Sequence, residues 1–377
     1  MIPPRISHTL RVKGMKYLVA ALFLFAGCAE RNEVIAVVDG SGGGGAGGGP
    51  PVLVATASQP LACGEGADLA VAMLDADHDP DVLVAGGCLS LYAGGGDGSI
   101  AEGTIAAPMF GTSLAIGDID GDGAIDVLGF DGETTVLIGD GMGAFVGTSH
   151  IAAAGPGALG DVALGAELDL VVRSGTELAE WSNDGSGGFV GPHGQMLSHA
   201  IDDHALGRFG GDHHLDAVVA SQGVGVLLSQ GDATFHALQP ATHVDAPEAV
   251  RSVRAVDLDG DACDDALAFD DALMRTLLGS CDGGLAQHTA IALERPVDAA
   301  AGDIDGDGAS DVVAAIAGAV ALFHGTGDGG LAPPTVIAVE GDPRAVAIAD
   351  MNEDGRADVV VLTRTHVHVL ANESPPR

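Results

Sequence analysis

Residues 118–126 read Asp-Ile-Asp-Gly-Asp-Gly-Ala-Ile-Asp, and the phrase returns at 303–311 as Asp-Ile-Asp-Gly-Asp-Gly-Ala-Ser-Asp. Two looser copies stand at 257–265, Asp-Leu-Asp-Gly-Asp-Ala-Cys-Asp-Asp, and at 350–358, Asp-Met-Asn-Glu-Asp-Gly-Arg-Ala-Asp. Each follows one short apolar run and precedes another, as with Leu114-Ala-Ile-Gly and Val127-Leu-Gly-Phe around the first. Aligning without gaps on the ninth-position Asp exposes three decayed copies, which end at Asp81, Asp169 and Asp216. First positions then fall at 73, 118, 161, 208, 257, 303 and 350, spaced by 45, 43, 47, 49, 46 and 47 residues. A second landmark follows each of the first six ninth-position Asp residues by 19 or 20: a Gly-rich turn closing on Ile100, Phe145, Phe189, Phe235, Leu285 and Leu331.

A period in the mid-forties that holds four short strands is the size of a propeller blade, so the sequence predicts an all-β, seven-bladed β-propeller. In the second repeat the strands are expected at Leu114 to Gly117, Asp126 to Phe130, Thr134 to Gly139 and His150 to Ala154. The seventh repeat ends soon after Val367-His-Val-Leu370, one strand short. The spare run Val52 to Ser58 is predicted to complete it, closing the ring without an exposed edge.

Composition fits this reading. Of 377 residues 59 are Gly, and the hydrophobic share of 47% is mostly Ala, Val and Leu, which supplies small β-formers and tight turns. The formal charge of -38, with only 15 Lys and Arg, argues against nucleic acid, because phosphate binding needs clustered cations.

The first 27 residues read as a signal peptide: Arg5, Arg11, Lys13 and Lys16, then an apolar run from Tyr17 to Ala26 too short to span a bilayer. Phe25-Ala-Gly-Cys28 resembles the bacterial lipoprotein lipobox, which implies lipidation of Cys28 and a place on the outer membrane or cell surface; Phe25 departs from the usual Leu, and ordinary secretion is the alternative. Residues 28–49 form a tether whose stretch from Ser41 to Gly49 is almost pure Gly, and the propeller is assigned to 50–377. Removing the signal takes four cations and no acid, for a net charge of about −42.

Blade order places Cys63 before the first strand of its repeat and Cys88 after the second, while Cys263 and Cys281 sit in the Asp loop and Gly-rich turn at the opposite end. Two disulfides suit an exported chain, with free buried thiols as the alternative.

A hard cation such as Ca²⁺ takes six to eight oxygens. Positions one, three, five and nine of the loop offer side chains, position seven a carbonyl, and Gly at six permits a sharp turn. An EF-hand is excluded, since position twelve is Gly129, Ala314 or Val361 where that motif needs Glu. The pattern resembles the FG-GAP/VCBS repeats of integrin α-chain-type propellers over roughly residues 51–372, in which Ca²⁺ sits between the first two strands of a blade. Carried over residue by residue, the resemblance implies about four calcium sites. Their ligands are Asp118, Asp120, Asp122 and Asp126; Asp257, Asp259, Asp261 and Asp265; Asp303, Asp305, Asp307 and Asp311; and Asp350, Asn352, Asp354 and Asp358. Ala262 replaces the turn Gly in the second set. Met73 leaves Asp75, Asp77 and Asp81 in the first repeat, Ala163 and Gly165 deplete the third, and Arg208 with Gly210 deplete the fourth. Arg208 is expected to stand in for the cation by pairing with Asp212 and Asp216.

No HExxH, GxSxG or P-loop motif is present, so no catalytic residue is assigned and the chain reads as non-enzymatic. His193, His199, His204, His213 and His214 read as surface imidazoles, while His366 and His368 alternate onto one strand face and could chelate. The functional expectation, which comes mainly from the resemblance, is an envelope binding, adhesion or scaffold protein for an unknown protein or glycan. Carbohydrate binding or polysaccharide lyase activity is the alternative, weakened by a mature chain with only Trp181 and Tyr92 beyond its Phe residues for ring stacking.

Overall fold

The computed structural model describes residues 51–374 apart from 164, 166, 233, 236–242 and 246–249. The signal segment, Cys28 and the tether lie outside the described residues. Each repeat forms one four-stranded antiparallel sheet, seven in all, and in the first six blades the strands pair in chain order. Blade 2, for example, consists of Ser113–Gly117, Asp126–Phe130, Thr134–Gly139 and Phe145–Ile151. The inner strands touch one another in sequence and the last, Pro343–Ala349, returns to the first, Asp68–Ala72, so the sheets make a closed ring.

Closure follows the predicted route. Leu53–Pro60 pairs antiparallel with His366–Asn372, from Leu53 opposite Asn372 to Pro60 opposite His366, and becomes the outer strand of blade 7. The register supplies what the other blades obtain from a hairpin. Gly139 pairs with Phe145, Asn183 with Phe189 and Gly279 with Leu285, and bridges join Gly94 to Ile100, Ser229 to Phe235 and Gly325 to Leu331. The second sequence landmark is therefore the point where the third and fourth strands of a blade meet.

The period-2 geometry of a strand explains the apolar runs. Val359 and Val361 face a cluster shared with blade 6, while Val360 and Leu362 between them face one shared with blade 1. Seven such clusters lie between neighbouring blades, and with both sheet faces buried a strand needs no polar side. Outer strands are different. Phe145–Ile151 is mostly exposed, and it begins at Phe145 rather than at His150 as the sequence reading had it, because the hairpin pairing starts directly at the turn. A second correction concerns His204, which is fully buried and not a surface imidazole. It is the second residue of the inner strand Asp203–Gly207, with Nε2 3.2 Å from the Val171 carbonyl of blade 3, and burial lowers its pKa to about 4.

The inner strands are also stapled across blades. Asp68, Asp203 and Asp298 open their strands, and each accepts a backbone N–H from the next blade: Leu114 at 3.0 Å, Val253 at 3.0 Å and Val346 at 2.8 Å. Arg254, itself buried, reaches Asp203 at 3.2 Å and Asp298 at 2.5 Å and so links three consecutive blades. Cys63–Cys88 and Cys263–Cys281 are both disulfides, at the opposite ends of the ring that the repeat order implied.

Candidate metal loops

The nine-residue loops all connect the inner strand to the second strand of a blade, which places them on one face. In each blade the ninth-position Asp is buried and its two oxygens divide the same labour. One oxygen accepts the N–H of position two and the other an N–H at the end of the third strand. For Asp126 the donors are Ile119 at 2.9 Å and Gly139 at 2.7 Å; for Asp265, Leu258 at 2.8 Å and Gly279 at 2.7 Å; for Asp358, Met351 at 2.9 Å and Asn372 at 2.7 Å. The decayed blades keep this bracket. Asp81 takes Leu74 and Gly94, Asp169 takes Val162, Ala163 and Asn183, and Asp216 takes Phe209, Gly210 and Ser229.

Positions one, three and five shape the loop itself. Asp118 accepts Gly121 N–H on one oxygen and Gly123 N–H on the other, while Asp120 accepts from Asp122 and Asp122 from Ala124. The same bonds recur around Asp257, Asp259 and Asp261. They recur again around Asp303, Asp305 and Asp307. In blade 7 Asp350 takes Asp354 and Gly355, Asn352 takes Asp354, and Asp354 takes Arg356. Left-handed backbone is needed at position six and also at four, where the sequence reading gave no requirement: Gly121 has φ +77° and Glu353 φ +56°. Ala262 keeps the turn at φ +72° without the Gly.

A hard cation that takes oxygen ligands fits this arrangement. Ligand atoms of Asp118, Asp120 and Asp122, of Asp257, Asp259 and Asp265, and of Asp303, Asp305 and Asp307 lie within 4.8 Å of one another. One ion with Ca–O distances of about 2.3–2.6 Å could touch all three in each group. Without a cation the site is electrostatically crowded. Burial pushes Asp126 up to about 6, backbone N–H donors hold it down, and Asp120 and Asp118 add to the rise. Burial likewise takes Asp265 to about 7 and Asp311 and Asp358 to about 6.

Three neighbours were not assigned from sequence. His324 Nδ1 lies 3.5 Å from both Asp305 and Asp311; its signal was a position 13 residues past the ninth Asp, beside the bracket donor Gly325. Arg356, at position seven, donates to Asp354 and would compete there with any cation. Asp264 holds the Arg208 main chain: it accepts Arg208 N–H at 2.6 Å and donates its own N–H to the Arg208 carbonyl at 2.8 Å. The Asp216 carboxylate is held by backbone donors, and Arg208 ties its blade to the next. His366 and His368 do share a face, with ring centroids 5.8 Å apart.

The FG-GAP-like repeat profile matches residues 74–129 and 303–361, which contain the blade 2, blade 6 and blade 7 loops. No curated protein matches the chain. Among solved structures, an Agrocybe aegerita lectin described as recognising non-reducing terminal N-acetylglucosamine is similar at 17% identity and TM-score 0.59, over 82% of this chain and 86% of the lectin. BBS1N in complex with ARL6DN is similar at 11% identity and TM-score 0.61, over 86% of this chain and 97% of that one. At such identities the likeness is one of fold.

Proposed function

We propose that this chain, an FG-GAP repeat propeller, is a calcium-stabilised binding or scaffold protein of the cell envelope, held at a membrane by a lipid on Cys28 and acting without catalysis. The observation that carries the metal part is the convergence of three carboxylates within 4.8 Å in blades 2, 5 and 6. A bound Ca²⁺ would tie the inner strand to the second strand of each blade and stabilise the ring by binding only the folded state. Carboxylates that fill such an ion's coordination sphere leave it little Lewis acidity, so no reaction is proposed there. Partner binding then falls to surfaces away from the loops, on a rigid ring of seven blades.

Calorimetric titration of the purified protein with Ca²⁺ tests the reading, with about four sites expected and EDTA lowering the melting temperature. Absence of calcium uptake would remove its support. Carbohydrate binding is the second reading, favoured by the fold shared with the lectin. Tyr92 is fully buried and Trp181 only partly exposed, which leaves few rings for stacking; a glycan array separates the two readings.

A further inference from the structure

We infer that the cleft between blades 6 and 7, at the end of the ring opposite the Asp loops, binds one oxyanion group of an acidic ligand. This deepens the binding role proposed above by naming its ligand class. Both lysines of the chain lie in its first 16 residues, so the propeller's cations are arginines. Five of the nine among the described residues face carboxylates elsewhere: Arg173 and Arg254 with Asp203, Arg254 also with Asp298, Arg275 with Asp270, Arg251 with Asp271 and Arg356 with Asp354. Three of the rest, Arg295, Arg344 and Arg364, come from three separate segments and line a single cavity of about 80 Å³ together with Val297 and Ile316.

Their compensation is incomplete. Asp342 lies 3.8 Å from Arg344 and 3.2 Å from Arg364, and Glu65 lies 3.5 Å from Arg364. Arg295 has no hydrogen bond or ion pair among the described residues. The Arg344 Nε–H is shut off from water and hydrogen-bonds to nothing, an unmet donor in a charged group. Arg295 also holds φ +51°, a left-handed conformation that Gly or Asn would adopt more cheaply, which is the kind of strain found where a side chain is placed for use. Guanidinium forks match carboxylate, sulfate and phosphate oxygens. The cavity holds roughly two or three waters' volume, hence one such group, with the rest of the ligand over the rim. The inner strand Pro343–Ala349 separates this cleft from the blade 7 Asp loop by roughly 20 Å, so the two sites act independently.

The test is calorimetric titration of the purified protein with sulfate and with glucuronate at constant ionic strength, chloride being the reference. One saturable site is expected, weakened roughly ten-fold or more by Arg295→Ala and by Arg364→Ala. Arg251→Ala, an exposed arginine paired with Asp271 at the same end of the ring, should leave it unchanged. Because Arg295 is exposed and unpaired, its removal should not disturb folding. Preference for glucuronate assigns the site to carboxylate ligands, and preference for sulfate to sulfate or phosphate esters. No saturable binding of either probe, or binding indifferent to both cleft variants, overturns the inference. Loss of calcium uptake alone would strike the metal reading and leave this one standing.

Discussion

The Asp loops of blades 2 and 4 close the same hairpin with different equipment. Asp126 and Asp216 are both buried and both grip the second-position N–H, from Ile119 at 2.9 Å and Phe209 at 3.0 Å. Each also holds the end of the third strand, through Gly139 at 2.7 Å and Ser229 at 2.8 Å. Only blade 2 adds carboxylates at positions one, three and five. Blade 4 has Arg208, Gly210 and Asp212 there, yet its first three strands are as regular and as buried. The repeat thus contains two devices: a backbone bracket that every blade keeps, and a cage of oxygen-bearing side chains at positions one, three and five that four keep and that we propose holds a cation.

The comparison breaks most visibly at the bracket. Asp216→Ala would strand the N–H groups of Phe209, Gly210 and Ser229, each worth about 1–3 kcal/mol when buried and unmet. Denaturant unfolding should show a loss of at least about 3 kcal/mol, equal with and without calcium. A loss that calcium repairs would show that the bracket and the cage are one device.

Blade 5 offers the next largest effect. Its loop lacks the sixth-position Gly and is instead clamped by Cys263–Cys281, which spans 18 residues. Replacing both cysteines by serine should cost about 3 kcal/mol and weaken calcium uptake at that blade alone.

A smaller effect concerns pH. Burial holds Asp126, Asp216, Asp311 and Asp358 near 6 and Asp265 near 7, above an unfolded value of about 3.9. The folded state therefore binds more protons than the unfolded one between about pH 4 and 7, and its stability falls as pH rises through that window. Calcium-free protein should melt higher at about pH 5 than at about pH 7. Saturating calcium should flatten the slope without abolishing it, because Asp216 keeps its shift in a blade without a cage. A slope of the opposite sign would mean that these carboxylates are not buried as described.

Much of this was legible in the sequence because a propeller repeats its physics. The Asp loop and the Gly-rich turn mark the two hairpins at one end of each blade, so their spacing fixed blade number, strand order and the closing role of Leu53–Pro60. The outer strand Phe145–Ile151 was read five residues late because it is exposed and carries no buried alternation to mark its start. His204 reads as a surface residue from its polar histidine neighbours, yet it aligns with the buried Leu69 and Leu114, second in their inner strands. The inter-blade staples had a signal that went unread, an Asp five residues ahead of the first loop position at Asp68, Asp203 and Asp298. The arginine cleft had none, since Arg295, Arg344 and Arg364 meet only when blades 6 and 7 pack together.

The most direct test of the two-device account is the calcium dependence of the melting temperature in a protein carrying Asp120→Ala, Asp259→Ala and Asp305→Ala, which removes from three loops an oxygen ligand that is Asp or Asn in all four and touches no bracket carboxylate. The account predicts a variant that folds without calcium at least as stably as the parent and loses most of the calcium-induced rise, about 2.7 kcal/mol per site at a hundred-fold excess over Kd. A variant that keeps the full rise, or fails to fold without calcium while the parent does not, would contradict it.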